Sequence, residues 1–322
     1  MGGLRRFLEN SRMAVELYRV IIPYVRARAL RGMEDHVFHG PNFYLPPFDG
    51  PCVVTIHDLS PYLWPECLPA WRVRYMIPEI ALSLQRATVI ITDSEYTKQE
   101  VSKYFTWPIE KIHAVPLASA DAFHPRPPSA LRPVLDRYGL SAGGYCLFAG
   151  TIEPRKNIDA LLDAYAMLPA SIKSKWPLVL VGYQGWNSAA LHARMADASC
   201  EGWARYLGFV PADHLPSLFA GTRLFVFPSL YEGFGLPVLE AMASGVPVVC
   251  SNGSSLPEVV RDAGAMCDAY DVDALSRLIL VGLEDESWRR GAAKKGLDQA
   301  AKFTWQRCAK ETIAAYQVAM ST

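Results

Sequence analysis

Short apolar runs alternate with stretches of helical periodicity along this chain. Runs near 35–39, 52–57, 88–92 and 112–116 are β-prone, with a helix from about Trp71 to Arg86 and another after Ser94, itself well placed as an N-cap. A second series follows at Tyr145–Ala149, Leu178–Val181, Arg205–Phe209, Leu224–Phe227 and Val246–Cys250, again with helices between. Strands that alternate with helices predict an α/β protein with parallel, doubly wound sheets.

Between the two series the composition changes. Pro125, Pro127, Pro128 and Pro133, then Gly139, Gly143 and Gly144, predict a linker or hinge with a boundary near 140. The expected domains are therefore 1–140 and 141–302, with an amphipathic final segment, 303–322. Only about four strands precede the linker, so the first domain reads as short.

The most informative stretch is Ser229-Leu230-Tyr231-Glu232-Gly233-Phe234-Gly235-Leu236-Pro237-Val238-Leu239-Glu240. It joins the apolar run Leu224–Phe227 to a helix over Leu236–Ser244, with Pro237 near the first turn and Gly245 just past the end. Gly233 and Gly235 let the backbone approach a ligand closely. Unpaired N–H groups at the helix start suit a phosphate or diphosphate. Glu232 precedes the helix and Glu240 lies inside it, so the two do not form an adjacent acid–base pair. Each is placed to accept hydrogen bonds from hydroxyls at either end of one extended ligand, such as a ribose and a hexose flanking a diphosphate.

Composition narrows the choices. The chain has 322 residues, 51% hydrophobic and 20% charged, enough for two domains with sizeable cores. Lys plus Arg and Asp plus Glu balance at 32 each, which gives no electrostatic case for nucleic acid. Cysteines at 52, 67, 146, 200, 250, 267 and 308 show no Cys-x-x-Cys spacing and read as reduced thiols of a cytoplasmic protein. No signal peptide is expected, and no apolar run approaches the roughly 20 residues of a membrane span. Residues 4–31 are locally basic, with seven arginines interleaved with apolar residues. They form a candidate for peripheral contact with an anionic membrane, or a domain helix with solvated arginines. No metal is expected, on the reading that neither an Asp-x-Asp nor a His/Cys cluster at metal-ligand spacing argues for a bound cation.

The pattern Glu232-x7-Glu240 around Gly-Phe-Gly-Leu-Pro, the upstream Gly150-Thr151-Ile152-Glu153-Pro154-Arg155-Lys156-Asn157, and Thr55-Ile56-His57-Asp58-Leu59 near the start together resemble retaining glycosyltransferases of family 4. The likeness extends over most of residues 35–320. It implies the GT-B fold, two Rossmann-like domains facing a central cleft, in which members usually begin with two or three more βα units than this chain shows.

It also implies that His57, with Asp58 beside it, faces the donor hexose and the reacting centre, and that Lys156 is a diphosphate ligand. Thr151 stands where many members have arginine, and Arg155 is a candidate to supply that charge. Phe209 and Val210 are implied to meet the nucleobase through their backbone. Glu232, Gly233, Phe234, Gly235, Leu236 and Glu240 form the donor cradle.

The reaction implied is transfer of a hexose from a nucleotide diphosphate sugar to a hydroxyl of a glycan or lipid-linked acceptor. GDP-mannose is favoured by likeness to mannosyltransferases of bacterial surface polysaccharides. The alternative is a catalytically impaired nucleotide-sugar-binding scaffold. A dinucleotide-dependent dehydrogenase is a weaker rival, since no Gly-x-Gly-x-x-Gly follows a strand. Ser255-Leu256-Pro257-Glu258 has capping-box spacing and reads as a structural helix start.

Overall fold

A computed structural model describes residues 12–321, with side chains from Ile21 onward. The chain divides into two compact units, Met1–Pro116 with Gln306–Thr322, and Leu117–Trp305.

The first unit holds a four-stranded parallel sheet in the order β1 (Phe38–Gly40), β2 (Cys52–Ile56), β3 (Val89–Thr92) and β4 (Ile112–Ala114). Every residue of β2 and β3 is buried, as expected of parallel strands covered on both faces. Helix Ala70–Arg86 covers one face through Met76, Ile80 and Leu84. On the other face Ala315 and Ala319, from the C-terminal helix Trp305–Met320, pack with Val53, Val89, Ile91 and Val115. Ser94 caps helix Glu95–Phe105 by accepting from the Thr97 amide, as expected.

Of the basic segment, residues 1–11 lie outside the described residues, while Arg12–Ala29 form a helix. Its exposed residues include Ile21, Tyr24 and Val25. No helix among the described residues is long and apolar enough to cross a membrane.

The second unit is built on a six-stranded parallel sheet ordered β10-β9-β8-β5-β6-β7, with β5 Cys146–Ala149, β6 Leu178–Val181, β7 Ala204–Gly208, β8 Leu224–Phe227, β9 Val248–Ser251 and β10 Ala265–Cys267. The order reverses direction at β5, which lies between β6 and β8. In such sheets ligands bind beyond the carboxyl ends of the strands at this switch point.

The chain divides after Pro116 rather than near 140. The proline-rich stretch is part of the second unit because Pro128–Leu135 forms a helix whose Leu131 and Leu135 are buried in that unit's core. Proline at the first helical turn is compatible with a helix, so composition alone reads as a linker what packing makes a core element.

Candidate active site

The strand, loop and helix of the cradle fold as their pattern requires. β8 ends at Phe227 and the helix runs from Leu236 to Ala243, with Pro237 in its first turn. Gly235 takes φ +108°, and a Cβ there would lie 2.6 Å from Leu256 Cδ2. Both the backbone angle and the space demand glycine. The matching turn after β5 passes through Pro154–Lys156 to Asn157 at φ +55° and into helix Ile158–Ala166. Asn157 Nδ2 ties this turn to the neighbouring loops by donating to Pro228 O at 3.1 Å and Ala269 O at 2.7 Å.

Because β5 and β8 are neighbours, the two loops meet. Lys156 Nζ donates to Glu232 Oε1 at 2.5 Å, and the ammonium also stands 5.2 Å from the centre of the Phe227 ring. Arg155 reaches Glu232 Oε2 at 3.4 Å, the Tyr231 carbonyl at 2.6 Å and Glu153 Oε1 at 2.7 Å. Burial disfavours charge on Glu232, but Lys156 and Arg155 outweigh it and hold its carboxyl below the ordinary value. Two cations from the β5 loop thus converge on one buried carboxylate of the β8 loop, four residues before the helix start.

Glu240 is different. Burial pushes its carboxyl up to about 7. A carboxyl so placed is a poor surface group and a good acceptor for a pair of hydroxyls that bring their own hydrogens.

At the ends of β6 and β7 the rings of Tyr183 and Phe209 stack at 4.7 Å, both more than half exposed. Val210 is buried in the core, 2% exposed, while Phe209 beside it is open to solvent. Thr151, half-buried, opens the turn after Gly150.

In the first unit, His57 leaves the end of β2 with Nδ1 2.8 Å from Asp93 Oδ2 and Nε2 2.9 Å from the Pro41 carbonyl. Asp58 turns its carboxylate back to the Ser60 amide at 2.8 Å.

Ser254 and Asp93 carry no motif signal in the sequence, and Ser255 has a further part beyond its helix start. Ser255 makes no side-chain cap; its hydroxyl shares its proton between the Glu232 and Phe234 carbonyls at 3.0 and 2.9 Å, while Ser254 Oγ accepts from the Glu232 amide at 2.9 Å. The helix does start where the capping-box spacing places it, at Leu256 after Ser255, but the loop carbonyls take the hydroxyl that would have capped it. Asp93 was also passed over, although it follows β3 as His57 follows β2, and the register pairs Ile56 with Thr92. Contrary to expectation the chain does hold an Asp-x-Asp, Asp271-Val272-Asp273; Asp271 caps helix Val272–Glu284 by accepting from Ala274 N at 2.8 Å.

A doubly wound parallel sheet with buried cations and carboxylates around a glycine turn at its switch point is the form of a ligand-binding α/β domain. Comparison with known proteins agrees. Residues 142–299 match the family described as glycosyl transferases group 1. The chain is 47% identical over 317 residues to O-antigen chain mannosyltransferase B of Escherichia coli, covering 98% of this chain and 83% of that protein. It is 31% identical over 234 residues to a GDP-mannose-dependent alpha-(1-6)-phosphatidylinositol monomannoside mannosyltransferase of Mycolicibacterium smegmatis, covering 68% of this chain and 59% of that protein. The fold matches that of WaaG, a glycosyltransferase involved in lipopolysaccharide biosynthesis, with a TM-score of 0.70 and 19% identity, covering 90% of this chain and 80% of that one. The chain belongs to the group 1 glycosyl transferases; it is a glycosyltransferase of the GT-B fold.

Proposed function

We propose that the enzyme transfers mannose from GDP-mannose to a hydroxyl of a growing surface polysaccharide, with retention at the anomeric carbon and without a metal. The observation that carries this reading is the buried constellation of Arg155, Lys156 and Glu232 beside the Gly235 helix start, in a chain so similar to an O-antigen chain mannosyltransferase.

In this reading the diphosphate takes over the charges of Arg155 and Lys156, which frees Glu232 to accept hexose hydroxyls, while Glu240 accepts from the ribose. His57 contributes to hexose recognition, and the backbone at Phe209 and Val210 meets the base. As the anomeric C–O bond to phosphate breaks, cations and N–H dipoles aimed at the departing oxygen stabilise the developing charge. The acceptor oxygen forms its bond to the same face of the anomeric carbon, and its proton passes to the leaving phosphate.

The test is incubation with GDP-mannose and mannose-terminated acceptors, followed by anomeric assignment of the product by NMR. An α-linked mannoside supports the proposal; a β-linked product rejects retention, and donor binding without transfer to any acceptor favours the scaffold alternative.

Exposure of Ile21, Tyr24 and Val25 beside Arg26 and Arg28 supports a further element of the proposal, peripheral work at the cytoplasmic membrane face. Sedimentation with anionic vesicles that is unaffected by Tyr24→Asp and Val25→Asp would remove it.

A further inference from the structure

His57 has acceptors on both sides. The Asp93 carboxylate faces Nδ1 at 2.8 Å and the Pro41 carbonyl faces Nε2 at 2.9 Å. A peptide carbonyl can only accept, and so can an ionised carboxylate, so each ring nitrogen must carry a hydrogen for both contacts to be hydrogen bonds. Asp93 is almost fully buried, 4% exposed, and the Phe43 ring meets His57 edge-on at 5.4 Å. The buried carboxylate and the Phe43 ring thus border the imidazole on two sides.

We infer that Asp93 is a positioning residue for the transfer reaction, holding His57 as a doubly protonated ring whose Nε2–H is a fixed donor. The inference rests on the proposed role of His57 at the donor hexose. When the site fills, a sugar oxygen replaces the Pro41 carbonyl as the acceptor for that hydrogen. Without Asp93 the ring would lose its second proton near neutrality and offer Nε2 as an acceptor or a turned ring instead.

The surrounding groups act on both partners: burial pushes the Asp93 carboxyl up, the His57 hydrogen bond and charge pull it down, and the Asp58 charge adds to the rise. Burial works against charge on His57, but the Asp93 hydrogen bond and charge, the Pro41 carbonyl and the Asp58 charge together raise its basicity above the ordinary value. His39, on β1, is pushed the other way by burial and by His57, and so does not compete for the proton; its nitrogens are engaged with Tyr316 and Thr55 at 2.7 and 2.8 Å. From the C-terminal helix, Cys308 is pushed up mainly by burial and by the Asp93 and Glu311 charges, so it stays a neutral thiol against the pair.

The experiment is a titration of the imidazole nitrogens by NMR on the full chain, the His57 signals being assigned by their loss in His57→Gln. It is paired with the pH profile of mannose transfer from GDP-mannose. In the wild type both His57 nitrogens should be protonated at neutral pH. In Asp93→Asn, which keeps the shape and an acceptor oxygen, the midpoint should fall by on the order of one pH unit. The alkaline limb of kcat should fall with it, giving about a tenfold loss on that limb and near-normal transfer well below both midpoints, with KM for the donor changed less. A singly protonated His57 in the wild type at neutral pH overturns the inference without any variant. A shifted midpoint with an unshifted rate profile, or an equal loss at every pH, reduces Asp93 to a structural residue. If the wild type transfers no mannose from GDP-mannose, the proposed function fails on its own, while the titration still decides the Asp93–His57 pair.

Discussion

Lys156 Nζ stands 2.5 Å from Glu232 Oε1, and each side chain is at most a tenth exposed. The two residues are 76 positions apart in sequence and belong to different loops. A charge pair this buried is a weak source of net stability but a costly one to break on one side.

Lys156→Ala leaves Glu232 with Arg155 at 3.4 Å as its remaining cation. Unfolding in urea should show a loss of about 3 kcal/mol. Calorimetry should show nucleotide-sugar affinity reduced about ten- to a hundredfold, the scale of one lost charge-assisted contact. The carboxyl of Glu232 lies below its ordinary value of 4.5 in the folded protein. Its contribution is thus complete above that value and disappears as the pH falls from there through the lowered folded value. The variant should show a flatter acid limb of stability.

Glu240 titrates in the opposite sense. Its carboxyl rises from 4.5 to about 7 on folding, so the stabilisation it gives is full below 4.5 and is lost as the pH climbs toward 7. Glu240→Gln should therefore be more stable than wild type at pH 8. Donor affinity in the wild type should increase through pH 7 as the acceptor carboxylate forms. Glu240→Gln should bind more weakly and without that pH step, as read by calorimetry across the range.

Ser255→Ala removes the proton that holds the Glu232 and Phe234 carbonyls. A thermal or urea melt should show a loss of about 1–2 kcal/mol. Donor affinity should fall as well, because the loop that places Glu232 loosens. Far-UV circular dichroism should be unchanged, since the hydroxyl caps no helix.

Gly235→Ala places a methyl 2.6 Å from Leu256 Cδ2 on a backbone at φ +108°. Strain of about 1–3 kcal/mol is expected from the dihedral alone. The helix start would shift, and nucleotide binding measured by calorimetry should fall more than stability does.

Much of the fold was readable locally. β2, β3, β5, β6 and β8 fall within or on the expected runs, because buried parallel strands are continuous apolar segments. β10, Ala265–Cys267, escaped because three half-buried residues carry no periodicity. The Pro128–Leu135 helix escaped because its prolines resemble a linker until Leu131 and Leu135 find a core.

The candidate site divides in the same way. Glycine at 235, proline at 237 and the spacing of Glu232 from Glu240 are local demands of one turn and one helix start, so the sequence by itself determined the cradle. That Lys156 and Arg155 meet Glu232 itself, which serines hold the cradle's carbonyls and which carboxylate stands behind His57 were decided only by tertiary structure. Parallel strands become neighbours through crossovers of varied length, and the register of β5 against β8 and of β2 against β3 brings Lys156 to Glu232 and Asp93 to His57. Sequence separation carries no record of that pairing; it arises when the sheet assembles to bury its strands.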